Sequence, residues 1–326
     1  MPPAAPTVAV LCGDDRPPGM AEVEAAAEVR YATAEQLPAA LRGAEVLFAW
    51  DWRSSAVPAA WPAADRLRWL HVASAGVDRF LFPELVDSPV VVTNSRGVFD
   101  RAIAEYVLGL ILAFAKGLPA TLELQRQRTW RHRDSERVDG RRVLVVGAGA
   151  IGRAIGRLLS AAGMTVTAVG RGARPADPDL GEVHAAGELA ALLPDADYVV
   201  VAAPLTDSTR GSFDATAFGR MKPSARLINV GRGPIVVEED LVAALRGGRI
   251  AGAALDVFAA EPLPPDHPLW TAPNAIVSPH MSGDFGGWPD ALARLFAGNL
   301  RRWLAGEELL NVVDKHLGYV AGKEVQ

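Results

Sequence analysis

A strand, a glycine-rich turn, a helix and a second strand follow one another in the middle of the sequence, and this pattern constrains the fold more than any other feature. The stretch VLVVGAGAIGRAIGRLLSAAGMTVTAV (Val143–Val169) places Gly147, Gly149 and Gly152 at the turn. Such glycines permit a tight turn, a close approach of a pyrophosphate to the backbone, and close packing of the helix on the sheet. Because free N–H groups at the start of a helix bind phosphate, the sequence predicts a dinucleotide-binding unit.

The second strand of this unit ends without an acidic residue. An acid at that place normally binds the adenosine ribose and repels a 2′-phosphate. The position is occupied by Gly170, and Arg171 and Arg174 follow it. A guanidinium can bind a phosphate through two hydrogen bonds, so the sequence favours NADP(H). One alternative stays open, in which both arginines are solvated loop residues and NAD(H) binds instead.

Short β-rich runs alternate with helical stretches along the chain, which is typical of α/β proteins with parallel sheets. Two long helical stretches, residues 101–118 and 288–306, are placed to carry the chain out of the first series of strands and back to it. We predict an α/β fold of two doubly wound parallel-sheet domains. A Rossmann cofactor domain (residues 102–286) is inserted into a discontinuous, flavodoxin-like substrate domain (residues 1–101 and 287–326). The predicted strands are residues 7–12, 45–50, 70–73, 90–93, 143–147, 164–169, 197–203, 225–230, 251–257 and 275–279.

The composition excludes several kinds of partner. The formal net charge of −5 argues against nucleic acid, which requires a basic face. Cys12 is the single cysteine, so there is no internal disulfide framework and no thiolate zinc site, and such usage suits a reducing cytoplasm. The longest apolar helical run, residues 107–115, is too short to cross a bilayer. We therefore expect a cytoplasmic protein with no metal, nucleic-acid or membrane ligand.

Charged groups follow three further predicted strands. Arg232 comes just after one strand, Asp256 ends the next with Glu261 in the loop beyond it, and His280 follows the last. Ligands of open α/β sheets bind outside the carboxyl ends of the strands. We expect these four groups to face the same crevice as the cofactor. Four of the other histidines are predicted to have structural roles: His71, His184, His267 and His316.

The ordered motifs ASAGVDRF, VVVTNSRGVFDRAIAEYVLGLILA, VGAGAIGRAIG, APLTDSTRG, INVGRGPIV, ALDVFAAEPLP, HPLW and SPHMSG span nearly the whole chain. Together they resemble the D-isomer-specific 2-hydroxyacid dehydrogenase family, and its glyoxylate/hydroxypyruvate reductases in particular. The resemblance implies interconversion of a small 2-keto acid and a D-2-hydroxy acid with a nicotinamide dinucleotide, mainly in the direction of reduction. It also implies a homodimer, for which the long helix starting near Ala102 is a candidate contact.

The resemblance implies a role for each matching residue. His280 would donate the proton in reduction and accept it in oxidation, and Glu261 would orient the imidazole ring and keep it protonated. Arg232 would bind the substrate carboxylate and polarise the carbonyl group. Other substrate contacts are predicted at the backbone N–H groups of Ala75 and Gly76, with Trp50 as an apolar wall or a packing residue. Cofactor contacts are predicted at the three glycines of the turn and at residues 170, 171 and 174. Further cofactor contacts are predicted at Ala150, Ile151, Ala203, Pro204, Thr209, Val230, Gly231 and Asp256.

Other functions remain open at the level of the sequence. Within the enzyme class, they are NAD-linked oxidation of a hydroxy acid such as phosphoglycerate, or of a small anion such as formate or phosphite. Outside it, the chain resembles transcriptional corepressors of the same family, which retain the fold and sense the dinucleotide. The combination of Arg232, Glu261 and His280 favours catalysis.

Overall fold

The structure, a computed structural model, describes residues 5–320 and divides into two compact units. Unit 1 is Met1–Phe99 with Phe285–Gln326, and unit 2 is Asp100–Asp284. Residues 1–4 and 321–326, which belong to the predicted substrate domain, lie outside the described residues. The predicted division into a cofactor domain (residues 102–286) and a substrate domain (residues 1–101 and 287–326) stays a prediction.

Unit 1 contains a five-stranded parallel sheet. Its strands lie in the order β2-β1-β3-β4-β5, the flavodoxin-like order of a doubly wound sheet. The strand β1 is flanked by β2 and β3, and it is buried from its second residue onward, as expected for a strand covered on both faces. The elements of the first part of unit 1 are β1 (Thr7–Leu11), α1 (Ala21–Ala26), β2 (Glu28–Ala32), α2 (Leu37–Leu41), β3 (Val46–Ala49), α3 (Ala56–Ala60), β4 (Trp69–Val72), α4 (Pro83–Val86) and β5 (Val91–Thr93).

Unit 2 contains an eight-stranded sheet in the order β13-β12-β11-β10-β6-β7-β9-β8. All neighbouring pairs are parallel except β8 and β9, which are antiparallel. The order reverses between β6 and β10, where a Rossmann-type sheet binds its ligand. The elements are α5 (Asp100–Ala115), α6 (Leu118–Arg126), β6 (Arg142–Val146), α7 (Ala150–Ala161), β7 (Thr165–Gly170), β8 (Arg174–Asp177), β9 (Gly181–Ala185), α8 (Leu189–Leu192), β10 (Tyr198–Val201), α9 (Ala215–Arg220), β11 (Arg226–Asn229), α10 (Glu238–Arg246), β12 (Gly252–Leu255) and β13 (Ala275–Val277); α11 (Trp288–Ala305) then returns the chain to unit 1.

The predicted α/β fold class is confirmed, and three local predictions are corrected. Strand β2 was missed because its outward residues, Glu28 and Arg30, interrupt the apolar pattern. The β8–β9 hairpin was missed because Pro175 and Gly181 are typical of loops. The long helix predicted over residues 101–118 ends at Ala115, since Gly117 has a left-handed backbone (φ 60°) before α6 begins.

Each unit has its own apolar core. In unit 1, Phe48 and Trp69 pack against Phe296 of α11, and the rings of Phe48 and Phe296 stack with centroids 4.1 Å apart. In unit 2, α5 packs on α7, and the strands β10 and β12 are buried along their whole length. Among residues 5–320, no single helix is long and apolar enough to cross a membrane; α5 and α6 meet that length and composition only as a pair bent by 62°.

Candidate active site

Three of the predicted catalytic or binding side chains follow neighbouring strands of the unit 2 sheet. Arg232 comes three residues after β11, Asp256 directly after β12, and His280 three residues after β13. These strands are adjacent and parallel, so their carboxyl ends meet at one edge of the sheet. Because neighbouring strands lie about 4.8 Å apart, the sheet gathers residues that are far apart in sequence.

His280 and Glu261 form a direct hydrogen bond. The Nδ1 atom of His280 lies 2.8 Å from Oε2 of Glu261, and both side chains are partly exposed, at 26% and 20%. The other carboxylate oxygen of Glu261 accepts the backbone N–H of Phe258 at 3.0 Å. One carboxylate oxygen of Glu261 is therefore fixed by a backbone N–H group of its own loop, and the other binds the imidazole ring of His280. This leaves Nε2 as the ring nitrogen that can exchange a proton with a substrate oxygen.

Asp256 binds the loop that carries His280. It is fully buried, and its Oδ1 accepts the Ser278 hydroxyl at 2.6 Å and the Met281 N–H at 3.0 Å. Its Oδ2 accepts the Ser282 N–H at 2.8 Å. His280 itself has a left-handed backbone (φ 53°), which costs free energy for a residue other than glycine. These three bonds offset that cost and fix the loop, so we assign Asp256 to positioning His280, while its predicted contact with the cofactor stays a prediction.

The loop that carries Arg232 is fixed by Asn229. This buried amide donates to the Arg232 carbonyl at 3.1 Å, and its oxygen accepts the Gly231 N–H at 3.0 Å. A Cβ atom on Gly233 would lie 1.9 Å from the carbonyl carbon of Phe258, so only glycine fits there. The Arg232 loop therefore packs directly on the backbone segment that binds Glu261. The Arg232 guanidinium donates to the Gly231 carbonyl at 2.9 Å.

The glycine turn fits a dinucleotide. A Cβ atom on Gly147 would lie 2.6 Å from the backbone of Ala202, so this turn brings the ends of β6 and β10 together at the switch point of the sheet. A Cβ atom on Gly152 would lie 1.8 Å from the Gly147 carbonyl oxygen, which confirms that the helix packs closely on the turn. Gly149 is exposed and faces open space, where a pyrophosphate can approach the start of α7. Ala150 and Ile151, which follow it, form the first turn of α7.

The end of β7 is crowded at the position where an acid would be expected. A Cβ atom on Gly170 would lie 3.1 Å from both the Ala148 side chain and the Val183 side chain. Arg171 is exposed just beyond this point, and Arg174 is the first residue of β8. The Arg174 guanidinium reaches back and donates to the Ala148 carbonyl at 3.4 Å. Arg174 therefore lies against the glycine turn, beside the place where an acid would bind a ribose.

The remaining predicted cofactor residues follow β10 and β11. Ala203 and Val230 are buried, and a Cβ atom on Gly231 would lie 2.8 Å from the Ala203 carbonyl oxygen, so the two strand ends pack closely. The Thr209 hydroxyl donates to the Pro204 carbonyl at 2.8 Å and accepts the Thr206 N–H at 2.8 Å. These two bonds make a compact turn at the edge of the sheet that carries the glycine turn.

The other predicted substrate residues belong to unit 1, at the carboxyl ends of β3 and β4. Asn94 donates to the Ala75 carbonyl at 2.5 Å, and Ser74 donates to the Gly76 carbonyl at 2.5 Å, which fixes this turn through its carbonyl groups. Trp50 stacks on Trp288, with ring centroids 6.3 Å apart and planes 15° apart. Sequence reasoning missed Trp288, because nothing in the local pattern pairs two indoles 238 residues apart.

Comparison with known proteins decides the family. The family model described as D-isomer specific 2-hydroxyacid dehydrogenase, NAD binding domain, matches residues 108–282, more than half of the chain. The chain belongs to this family. The D-isomer specific 2-hydroxyacid dehydrogenase fold predicted from the motifs is thereby confirmed, and unit 2 includes the NAD-binding domain. As a member of this family the chain is an oxidoreductase.

Relatives of this dehydrogenase include named reductases. The mouse glyoxylate reductase/hydroxypyruvate reductase is 34% identical over 76% of this chain and 77% of its own length. Glyoxylate/hydroxypyruvate reductase A of Serratia proteamaculans is 31% identical over 78% of this chain and 82% of its own length. A D-isomer specific 2-hydroxyacid dehydrogenase from Xanthobacter autotrophicus, solved with NADPH and MES, is 31% identical, covers 97% of this chain and 100% of that one, and has a TM-score of 0.81. The NADPH-dependent glyoxylate/hydroxypyruvate reductase of Sinorhizobium meliloti, solved with NADP and sulfate, is 29% identical, covers 96% and 100%, and has a TM-score of 0.83.

Two further residues of this dehydrogenase site were missed from the sequence. Both Ser278 and Asn229 are polar and buried; the Ser278 hydroxyl donates to Asp256, and the Asn229 side chain donates to the Arg232 carbonyl. Their position within the strand-end motifs SPHMSG and INVGRG was the available signal, but their bonding partners depend on which strands are neighbours. Within residues 5–320, no group of three or more His, Cys, Asp or Glu side chains is arranged to hold a metal ion.

Proposed function

We propose that this chain reduces a small 2-keto acid to the D-2-hydroxy acid with NADPH, and that Arg232, Glu261 and His280 carry the reaction. The observation that carries the proposal is the 2.8 Å bond between Glu261 and His280, at the same sheet edge as Arg232 and the glycine turn. A bound nicotinamide supplies the hydride. The protein must then bind the substrate carboxylate and deliver one proton to the carbonyl oxygen.

His280 and Arg232 divide these two tasks. Nε2 of His280 donates the proton to the substrate oxygen, and Glu261, bonded to Nδ1, holds the ring in the orientation for that transfer. The Arg232 guanidinium binds the substrate carboxylate and stabilises the negative charge that develops on the carbonyl oxygen. Asp256 and Asn229 act one step away by fixing the loops on which these groups lie. The substrate contacts predicted for Ala75, Gly76 and Trp50, which belong to unit 1, stay predictions.

The preference for NADP(H) rests on the end of β7. Gly170 leaves no carboxylate to repel a 2′-phosphate, and Arg171 and Arg174 supply positive charge beside the glycine turn. The neighbours from Xanthobacter and Sinorhizobium were solved with NADPH and NADP, which supports the same preference here. The test is the dissociation constant of each reduced cofactor. Arg171→Ala should weaken NADPH about tenfold and NADH less than twofold, whereas the exposed Arg220→Ala at the end of α9 should change neither. An unchanged ratio in Arg171→Ala contradicts the assignment.

The substrate class is tested by initial rates with glyoxylate, hydroxypyruvate, pyruvate and phenylpyruvate, each with NADPH and NADH. We expect turnover of 2-keto acids with NADPH, and D-glycerate as the product from hydroxypyruvate. Faster NAD-linked oxidation of phosphoglycerate, formate or phosphite would instead support one of the alternative dehydrogenases. Tight cofactor binding with no turnover of any of these compounds would support a sensing protein of the corepressor type.

We also propose that the protein is a cytoplasmic homodimer. The helix α6 and the segment after it expose Leu118, Leu122 and Trp130, the last completely, and the ion pair of Glu136 with Arg226 (2.7 Å) anchors the end of this segment. An apolar surface of this kind is typical of an interface. Trp130→Ala should lower the mass measured by sedimentation, whereas Trp270→Ala, another exposed tryptophan, should not. A wild-type monomer contradicts the proposal.

A further inference from the structure

A buried carboxylate lies behind the two arginines of the proposed NADP(H) pocket. The side chain of Asp177, the last residue of β8, has no exposed surface. Its Oδ1 accepts the Asp179 N–H at 3.1 Å, which closes the turn of the β8–β9 hairpin. Its Oδ2 lies 2.8 Å from Nη2 of Arg153 and 3.3 Å from Nη2 of Arg174. The carboxylate therefore forms ion pairs with two guanidinium groups from two different elements, Arg153 of α7 and Arg174 of β8, although neither contact to Oδ2 has the geometry of a hydrogen bond.

This group of charges lies beside the glycine turn. The same Nη2 of Arg174 that faces Asp177 donates to the Ala148 carbonyl, between two glycines of the turn. Gly170, whose Cβ position would lie 3.1 Å from the side chains of Ala148 and Val183, ends the neighbouring strand. Asp177 thus sets where the Arg174 guanidinium lies at the place that decides between a ribose hydroxyl and a 2′-phosphate.

Charge and exposure together define what this group can bind. One carboxylate and two guanidinium groups carry a net charge of +1, which favours an anion. The side chains of Arg153 and Arg174 are 36% and 42% exposed, so each can still contact a ligand. Asp177 cannot itself accept a hydrogen bond from a ribose hydroxyl, because it has no exposed surface. It therefore does not replace the acid that is missing at the end of β7.

We propose that Asp177 is a positioning residue for cofactor choice: it fixes the Arg174 guanidinium against the glycine turn, where that group binds the 2′-phosphate of NADPH. The proposal rests on the preference for NADP(H) proposed above. A fixed guanidinium loses less conformational freedom when it binds phosphate than a mobile one, so the gain is confined to the cofactor that carries the phosphate.

The test measures binding rather than turnover. Dissociation constants of NADPH, NADH, adenosine 2′-monophosphate and adenosine 5′-monophosphate are determined by calorimetry for the wild type, Asp177→Asn, Arg174→Gln and the double variant. Asp177→Asn keeps the shape of the side chain and its bond to Asp179, and it should weaken NADPH and the 2′-monophosphate about tenfold while changing NADH less than twofold. The double variant should be no weaker than Arg174→Gln, because Asp177 acts through Arg174.

A matched control lies on the same hairpin. Asp179 pairs with Arg157 of α7 at 3.4 Å, in the way that Asp177 pairs with Arg153, but it has no contact with Arg174 among the described ion pairs. Asp179→Asn should leave the ratio of NADPH to NADH affinities unchanged.

Three results would overturn the role of Asp177. An equal loss of affinity for NADPH and NADH in Asp177→Asn would indicate a purely structural residue. Tighter binding of NADPH would indicate that the negative charge only repels phosphate. The third result is an unchanged affinity for both cofactors. If Asp177→Asn does not fold, the test depends on Arg174→Gln. An unchanged ratio of the NADPH and NADH dissociation constants in Arg174→Gln would show that Arg174 does not bind the 2′-phosphate, and the role of Asp177 would then be excluded. A wild type that binds NADH as tightly as NADPH contradicts the proposed function as well, whereas a selective wild type with an unselective response to Asp177→Asn contradicts only this inference.

Discussion

The carboxylate of Glu261 lies 2.8 Å from Nδ1 of His280, although the two residues lie in the loops after different strands. The same carboxylate accepts the Phe258 N–H, and the loop of His280 is bound through Asp256. The segment after β12 thus holds both partners: its Phe258 N–H binds Glu261, and its Asp256 side chain binds backbone N–H groups of the loop that carries His280. This arrangement fixes the orientation of the imidazole before any substrate is present, which is what an efficient proton donor requires.

Replacing His280 tests the proton donor. His280→Gln should lower kcat about 100-fold or more, since the substrate oxygen loses its source of a proton. The dissociation constant of NADPH should change less than twofold, because the glycine turn and the arginines are untouched. The exposed His316→Gln serves as the control. An equal loss of cofactor binding and turnover would mean that His280 supports the fold rather than the reaction.

Replacing Glu261 tests the positioning of the ring. In Glu261→Gln the amide oxygen can still accept the Phe258 N–H, but the charged partner of the imidazole ring is gone. The reductive kcat should fall at least about tenfold, because a neutral amide holds the ring more weakly in the orientation that proton transfer requires. The measurement is kcat together with the dissociation constant of NADPH, which should change less than twofold, with the exposed Glu239→Gln as the control. An unchanged kcat, or an equal loss of NADPH binding, would contradict the positioning role of Glu261.

Replacing Arg232 tests the carboxylate contact. Arg232→Lys keeps the charge and removes the planar fork that binds a carboxylate through two hydrogen bonds. We expect kcat/KM for a 2-keto acid to fall at least about tenfold, with a higher KM and little change in NADPH binding. Arg246→Lys, at the exposed end of α10, should have no effect. Near-normal kinetics in Arg232→Lys would exclude a bidentate contact.

Unit 1 carries a pH dependence of its own through His71. Burial lowers the pKa of His71 from 6.5 to about 3, and Thr93 Oγ1, which accepts the Trp69 Nε1–H at 2.8 Å, lies 2.8 Å from its Nδ1. Burial disfavours the charged form, so the folded protein holds the His71 ring neutral near pH 7. Because the unfolded chain binds a proton near pH 6.5 and the folded chain does not, the stability from His71 is complete above about pH 6.5 and is lost as the pH falls towards 3.

The measurement is urea unfolding of the wild type and His71→Gln at pH 7, 6 and 5. The free energy of unfolding of the wild type should fall with acidification more steeply than that of the variant, with a difference approaching about 1.4 kcal/mol per pH unit below pH 6. The variant should be the less stable protein at pH 7, since its amide cannot reproduce the buried ring. Parallel pH dependences in the two proteins would show that His71 binds its proton in the folded state.

Local signals explain what could be predicted from the sequence. Gly147, Gly149 and Gly152 define the turn through their own spacing, so the element, its strands and its ligand class can be predicted without knowledge of the rest of the chain. Arg232 and His280 were found because each directly follows a predicted strand. Parallel strands then align their carboxyl ends whatever the details of packing.

The missed features depend on contacts between distant segments. The bonds of Asp256 to Met281 and Ser282 exist because β12 and β13 are neighbours, which no local pattern reveals. The β8–β9 hairpin is short and polar, and the ion pairs of Asp177 with Arg153 of α7 and with Arg174 of β8 itself help to fix it, rather than apolar periodicity. The sequence therefore identified the proposed catalytic groups more readily than the residues that position them.

The most direct test of the account is a crystal structure with NADPH and oxamate, an unreactive analogue of a 2-keto acid. We predict that the oxamate carboxylate lies about 3 Å from the Arg232 guanidinium, and that its carbonyl oxygen lies about 3 Å from Nε2 of His280, with Glu261 still bound to Nδ1. The proposed roles of Arg232 and His280 are contradicted if oxamate binds away from these groups, or if Nε2 of His280 points away from the carbonyl oxygen while the nicotinamide is in place.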